Sequence, residues 1–204
     1  MNILCFGDSN TWGLVPCVGN RFDVEKRWTG RLYELFGGKH HIIEEGLNGR
    51  TADEKDDEEP YLNGRSYMEA CVLSHRPVDV LIVMLGSNDI KVRYGKSAEQ
   101  IADSITALTR DMKKILDNKQ AERVKVLLIS PKNIDSRILG DRTFDEESIK
   151  KSEMLGGLLE KRAKAEGWLF LDAAKDDILL GDDGLHLRED GHDSLAKHIY
   201  NILK

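Results

Sequence analysis

Short apolar runs alternate along the chain with longer stretches in which apolar and polar residues are mixed. The third and fourth runs, residues 78–85 and 124–130, are apolar nearly throughout, which is typical of central strands that are covered on both faces. Together the runs predict five β-strands, over residues 2–6, 41–45, 78–85, 124–130 and 168–172.

The mixed stretches predict helices. Between residues 97 and 118, apolar side chains recur at spacings of three and four, which places them on one face of a helix. These side chains are Ile101, Ile105, Leu108, Met112 and Ile115. Ser97 and Gln100 resemble a capping box at the start of this helix. The predicted helices cover about residues 25–37, 64–75, 97–118, 145–166 and 189–203.

This alternation of strands and helices predicts an α/β fold. Strands that are separated by helices pair in parallel, so we expect a three-layer α/β/α sandwich around a five-stranded parallel sheet. The chain has 204 residues and shows no internal repeat or linker. We therefore predict a single domain over residues 1–204.

Composition and charge restrict the partners. With 40% hydrophobic and 32% charged residues, the chain is typical of a soluble globular protein. Its net charge of -6 disfavours nucleic acid or an anionic membrane as the main partner. The N-terminus lacks the basic and long apolar regions of a secretory signal. Cys5, Cys17 and Cys71 show no CxxC spacing, which predicts free thiols in a cytoplasmic protein and no metal site.

Polar motifs follow the predicted strands. "FGDSN", "GLNGRT" and "LGSND" each come directly after a strand, and "DDGLHL" precedes the last helix. The connections over residues 46–64 and 131–144 are longer than is usual between a strand and a helix. Since open α/β sheets bind ligands at the carboxyl ends of their strands, we expect the functional site at this edge.

Ser9 and His186 are the candidates for a nucleophile and its base. Ser9 lies in a glycine-led turn, which suits either a nucleophile or a plain turn or helix cap. His186 has a carboxylate at short spacing, Asp183 or Asp182, to fix its tautomer. We interpret His192, in the opening turn of the last helix, as non-catalytic. The remaining histidines are interpreted as packing or surface residues: His40, His41, His75 and His198.

Two further residues are candidates for an oxyanion hole. The Asn88 amide and the Gly49 backbone N–H are donors that a developing oxyanion needs, although both residue types also suit helix caps and turns. Trp12 is predicted either to line the pocket or to pack as a half-buried aromatic residue. The acidic segment 53–59 is interpreted as a solvated, mobile loop, which would repel anionic substrates if it borders the pocket.

These motifs resemble the GDSL, or SGNH, hydrolase family in their residues and their order. "FGDSNTWG", "GLNGRT", "GSND" and "DGLHL" match its four blocks, and the chain is most similar to the bacterial aryl-esterase and acyltransferase branch. The resemblance implies a flavodoxin-like sandwich, a Ser9, Asp183 and His186 triad, and an oxyanion hole of Ser9, Gly49 and Asn88. Asn10 replaces the common leucine of the first block, which makes the wall beside the nucleophile more polar.

The resemblance also implies an activity. We expect a serine esterase that hydrolyses short-chain, acetyl-type esters through an acyl-enzyme, with transfer of the acyl group to alcohols as a further reaction. It implies a small neutral ester as substrate, no metal or organic cofactor, and a homo-oligomer as one form of assembly. The alternatives are a carbohydrate O-acetyl esterase and a catalytically silent binding module.

Overall fold

The protein is built around a parallel β-sheet. The computed structural model describes residues 1–140, 142–175 and 177–204, so Asp141 of the long connection 131–144 lies outside the described residues. Five strands are present in this part of the chain: β1 (Asn2–Gly7), β2 (His41–Gly46), β3 (Val80–Met84), β4 (Lys125–Ser130) and β5 (Leu169–Asp172). They pair in parallel in the order β2-β1-β3-β4-β5. The predicted parallel sheet is confirmed.

Six α-helices lie in the described ranges. They are α1 (Ser9–Trp12), α2 (Trp28–Leu35), α3 (Gly64–His75), α4 (Ala98–Lys119), α5 (Glu146–Glu166) and α6 (Glu189–Leu203). Five of them occupy the predicted stretches, and the capping box of Ser97 and Gln100 is present at the start of α4. Among the described residues, no helix combines the length and the apolar character needed to cross a bilayer.

The helices cover both faces of the sheet. Leu4 and Phe6 of β1 belong to one buried cluster, which includes residues of α3, α4 and α5. Ile3 and Cys5 point to the opposite face and belong to a second cluster with residues of α2 and α6. Both clusters follow from the alternation of side chains along a strand. The three predicted layers are therefore present.

The strand order places a crevice at the carboxyl end of β1. The chain passes from β1 to β2 on one side of the sheet, and then to β3 on the other side of β1. At such a switch point the connections diverge and leave space above the strand ends, where ligands bind in open α/β sheets. Ser9 begins the segment that follows β1, so the fold delivers it to this crevice.

Candidate active site

Ser9 is the first residue of the short helix α1, directly above the end of β1. Asp8 caps this helix, because its carboxylate accepts a hydrogen bond of 2.9 Å from the backbone N–H of Asn10. Gly7 is required by a close approach, since a Cβ there would lie 2.1 Å from Oγ1 of Thr11 and 2.8 Å from the carbonyl oxygen of Met84. The turn is therefore rigid and holds Ser9 at a fixed position.

Ser9, His186 and Asp183 form a continuous hydrogen-bonded chain. Oγ of Ser9 lies 2.9 Å from Nε2 of His186, and Nδ1 of His186 lies 2.8 Å from Oδ2 of Asp183. An ionised carboxylate only accepts hydrogen bonds, so Nδ1 carries the proton and Nε2 is left to accept from the serine hydroxyl. This is the tautomer that a general base needs.

Asp183 is held in its ionised form. Burial opposes ionisation, but the hydrogen bonds from the His186 ring and from the backbone N–H groups of His186 and Leu185 outweigh it and lower the pKa of Asp183 to about 2. Asp182, the other candidate, is fully exposed and lies 4.0 Å from Arg137. Asp183 rather than Asp182 therefore contacts the imidazole.

Asn10 connects the serine turn to the histidine loop. Its Nδ2 donates to the carbonyl of Leu185 at 3.3 Å, and its Oδ1 accepts from the N–H of Leu187 at 2.9 Å. These two backbone groups flank His186. Asn10 is only 5% exposed, and its carboxamide connects the two segments through both of these hydrogen bonds.

The candidate oxyanion residues lie on the turns that follow β2 and β3. Gly49 has a φ of 82°, a left-handed conformation that favours glycine. Nδ2 of Asn88 donates to the carbonyl of Arg50 at 3.1 Å, so Asn88 lies beside the Gly49 turn. The N–H of Leu47 donates to the carbonyl of Gly7 at 3.2 Å, which connects the same turn to the serine. An amide carries two N–H donors, so one donor of Asn88 is left for a ligand.

Arg50 is a buried residue that the sequence analysis missed. Its guanidinium donates to the carbonyl oxygens of Gly7, at 3.0 Å, and of Glu45, and it lies 4.2 Å from the ring centroid of Phe6. Arginine is rarely buried, and nothing in the sequence except its place after Gly49 indicates that this one lies in the interior. It fastens the end of β1 to the end of β2, underneath the candidate site.

Asp89 ties the turn after β3 to the segment that follows Arg50. Its Oδ1 accepts from the N–H of Ala52 at 2.8 Å. The residue is fully buried, and burial, together with the charges of Glu54 and Asp8, raises the pKa of Asp89 to about 7. A carboxyl group with this pKa is protonated in much of the folded protein near neutral pH.

Trp12 and His192 differ in their exposure to solvent. Trp12 is half-buried, and Cζ of Arg21 lies over its ring at 5.3 Å from the centroid. His192 is fully buried, its Nδ1 accepts from the N–H of Trp28, and burial lowers its pKa to about 3. His192 is therefore a neutral residue of the interior.

Three carboxylates of the acidic segment 53–59 are paired with cations, while Asp57 and Glu58 are exposed to solvent. Asp53 pairs with Arg65 at 2.9 Å, Glu54 with Lys96 at 2.6 Å, and Asp56 with Arg93 at 2.7 Å. Asp56 also accepts hydrogen bonds from two backbone N–H groups of its own loop. The sequence analysis did not match these carboxylates to the cations that the fold brings to them. The ion pairs also weaken the repulsion that was expected against anionic substrates.

The chain is similar to known esterases in sequence and in overall structure. A family model described as the GDSL-like Lipase/Acylhydrolase family matches residues 5–193. The chain is similar to the inhibitor-bound aryl esterase of M. smegmatis, with 32% identity, a TM-score of 0.91, and coverage of 99% of both chains. It is also similar to Est24, a carbohydrate acetylesterase from Sinorhizobium meliloti, with 31% identity, a TM-score of 0.91, and coverage of 98% of this chain and 96% of that chain. No curated protein sequence matched significantly.

Proposed function

The chain belongs to the GDSL-like lipase/acylhydrolase family and is a carboxylic ester hydrolase; on this premise we propose that Ser9, His186 and Asp183 are its catalytic triad. The observation that carries the proposal is the hydrogen-bonded chain among them, with distances of 2.9 and 2.8 Å. The hydrogen bonds connect the nucleophile to the base and the base to the orienting carboxylate, which is the arrangement that acyl transfer requires.

The reaction proceeds through an acyl-enzyme. Oγ of Ser9 bonds to the ester carbonyl carbon while Nε2 of His186 takes the hydroxyl proton, and Asp183 stabilises the imidazolium. The bond to the alcohol breaks as His186 returns that proton to the leaving oxygen. Water, deprotonated by the same imidazole, then attacks the acyl-serine, which releases the carboxylic acid and restores Ser9. An alcohol in place of this water gives acyl transfer.

The proposed oxyanion hole consists of the backbone N–H groups of Ser9 and Gly49 and the side-chain amide of Asn88. The rigid serine turn and the bond from Asn88 to the Arg50 carbonyl support this role, because donors must be oriented before charge develops. Loss of one such donor typically costs about 3 kcal/mol of transition-state stabilisation. Asn10 acts as a positioning residue, since it holds the backbone on both sides of the base.

The proposed substrates are small neutral esters with short acyl groups. The name of the M. smegmatis relative supports aryl esters, and that of Est24 supports the second candidate function, removal of O-acetyl groups from carbohydrates. Both reactions use the same acyl-enzyme and differ in the leaving alcohol. The two functions are therefore separated by the alcohol half of the substrate.

The triad is tested by hydrolysis of p-nitrophenyl acetate. We expect Ser9→Ala and His186→Ala to remove nearly all activity, and Asp183→Asn to lower kcat by about 10³- to 10⁴-fold, as loss of the carboxylate does in other triads. Asp182→Asn is the matched control, since the adjacent carboxylate is fully exposed, and it should retain wild-type kcat. Equal activity of Asp183→Asn and Asp182→Asn would contradict the assignment.

The substrate class is tested with two series. The acyl series of p-nitrophenyl acetate, butyrate and octanoate should show kcat/KM falling steeply with chain length. The alcohol series compares phenyl acetate with a fully acetylated monosaccharide, and a higher kcat/KM for the sugar ester would favour the carbohydrate esterase. Octanoate hydrolysed as fast as acetate would reject the short-acyl proposal and leave the triad intact.

A further inference from the structure

One face of α3 carries three residues with polar or metal-ligating side chains in a row. Tyr67, Cys71 and His75 are spaced by four residues, so they lie one above the other on the same side of the helix. The sequence predicts a packing or surface role for His75 and a free thiol for Cys71, and the structure places both on one helix face.

Glu45, at the end of β2, faces this row. Its Oε1 lies 2.7 Å from Nε2 of His75, and the Tyr67 hydroxyl donates to its Oε2 at 3.1 Å. The ligand atoms of Glu45, Cys71 and His75 all lie within 4.8 Å of one another. A carboxylate, a thiol and an imidazole therefore converge on one point between a strand and a helix.

This set of donors suits a particular class of ion. Thiolate and imidazole ligands select zinc and similar transition metals over magnesium and calcium, which prefer oxygen. Tetrahedral zinc holds its donor atoms about 3.4–3.7 Å apart, given metal–ligand distances of about 2.0–2.3 Å. The ligand atoms lie within 4.8 Å of one another, so the side chains must shift to reach that arrangement.

We propose that Glu45, Cys71 and His75 form a transition-metal site of the zinc type, separate from the Ser9 site. Oε1 of Glu45 turns from His75 to the ion, while Tyr67 keeps its hydrogen bond to Oε2 and orients the carboxylate. The thiol proton of Cys71 passes to solvent when the sulfur binds, and neutral His75 binds through Nε2. A water molecule completes the tetrahedron.

The cluster is closed on the Cys71 side and open on the other. Cys71 is 1% exposed, so its sulfur is shielded from bulk solvent. One thiolate and one carboxylate balance the charge of a divalent ion. His75 and Glu45 remain 30% and 17% exposed, which gives an ion a path from solvent.

The site is tested with Co²⁺ as a spectroscopic substitute for Zn²⁺. We expect metal-free wild-type protein to bind one Co²⁺ and to gain the absorption of thiolate-to-cobalt charge transfer, and Zn²⁺ to displace it. Cys71→Ser should lose this absorption, and His75→Asn or Glu45→Gln should weaken binding at least tenfold. Cys17→Ser is the matched control, because Cys17 is the exposed cysteine, and it should bind like the wild type.

Each variant is first shown to be folded by its hydrolysis of p-nitrophenyl acetate, which does not involve the cluster. If Cys71→Ser does not fold, His75→Asn decides the question, since that side chain is partly exposed. The proposal is overturned if saturating Co²⁺ produces no charge-transfer absorption, if the absorption persists in Cys71→Ser, or if it disappears in Cys17→Ser. The last result would assign the binding to the exposed thiol.

Discussion

At the scale of the residue, Asn10 holds the loop that carries His186, the proposed base. This side chain spans from the helix that carries Ser9 to the two peptide groups on either side of His186. Its carboxamide satisfies one carbonyl and one N–H at once, which no apolar side chain of similar size can do. In this chain, where Asn10 replaces the common leucine of the family, the proposed triad therefore has additional support from a residue that does not itself react.

Replacing Asn10 with leucine or alanine should lower kcat by about 10- to 100-fold while KM stays within about twofold, because a small displacement of a catalytic group costs rate rather than ground-state binding. Asn10→Asp keeps the acceptor for the Leu187 N–H and should retain more activity than either variant. Steady-state kinetics on p-nitrophenyl acetate well below the melting temperature measure these effects.

The control for this experiment is Ser97→Ala, which removes the cap of α4 and destabilises the protein by about 1 kcal/mol. It should leave kcat unchanged. If the Asn10 variants lose stability to a similar extent but keep wild-type kcat, the clamp is structural only and the positioning role is wrong.

Ser9 and His186 could be proposed from the sequence because a serine turn after a strand and a histidine with a nearby carboxylate are local features, and the resemblance to the GDSL family selected Asp183 over Asp182. Asn10, Arg50 and Cys71 show the limit of this approach. The clamp of Asn10 joins residues 175 and 177 positions apart, and no local pattern encodes such a contact. A buried arginine also contradicts the usual preference of that residue, so only the fold reveals its partners.

At the scale of the element, strands and long helices follow from hydrophobic periodicity, while α1 does not. A helix of four residues is too short to show a period, and only the cap at Asp8 and Gly13 defines it. The order of the strands is also beyond the pattern, because an apolar run does not specify which strand lies next to it. The face of α5 that packs on the sheet is defined to within one residue, as two adjacent glycines show.

Gly156 and Gly157 of α5 provide a matched pair for this contact. A Cβ at Gly156 would lie 2.5 Å from Oδ2 of Asp172, whereas a Cβ at Gly157 meets no atom within 4 Å. We expect Gly157→Ala to stabilise the protein by about 0.5–1 kcal/mol through helix propensity, and Gly156→Ala to destabilise it by about 1–3 kcal/mol through overpacking. Urea unfolding measures both, and equal effects of the two substitutions would show that α5 does not pack as described.

At the scale of the whole molecule, the loops at the sheet edge, which carry the proposed catalytic residues, contain two buried carboxyl groups. Asp8 and Asp89 are both fully buried, and burial raises the pKa of each. Asp89 accepts a hydrogen bond from the backbone of the segment after β2, so it holds two connections together. The global stability of the protein should therefore depend on the protonation of this interior.

The free energy of unfolding should carry a term from Asp89 that falls as pH rises. The folded state binds the carboxyl proton more tightly, with a pKa of about 7 against about 3.9 in the unfolded chain, so the term is fully present below pH 4 and is lost as pH approaches 7. Its slope is about 1.4 kcal/mol per pH unit in this window. Asp89→Asn keeps an acceptor for the Ala52 N–H but does not titrate, so the difference in unfolding free energy between wild type and Asp89→Asn isolates the term from Asp8, Glu54 and the other carboxyl groups. Urea unfolding of both proteins at pH 4.5, 6 and 7.5 measures it, and a difference that is constant across these pH values would show that Asp89 is ionised in the folded protein throughout.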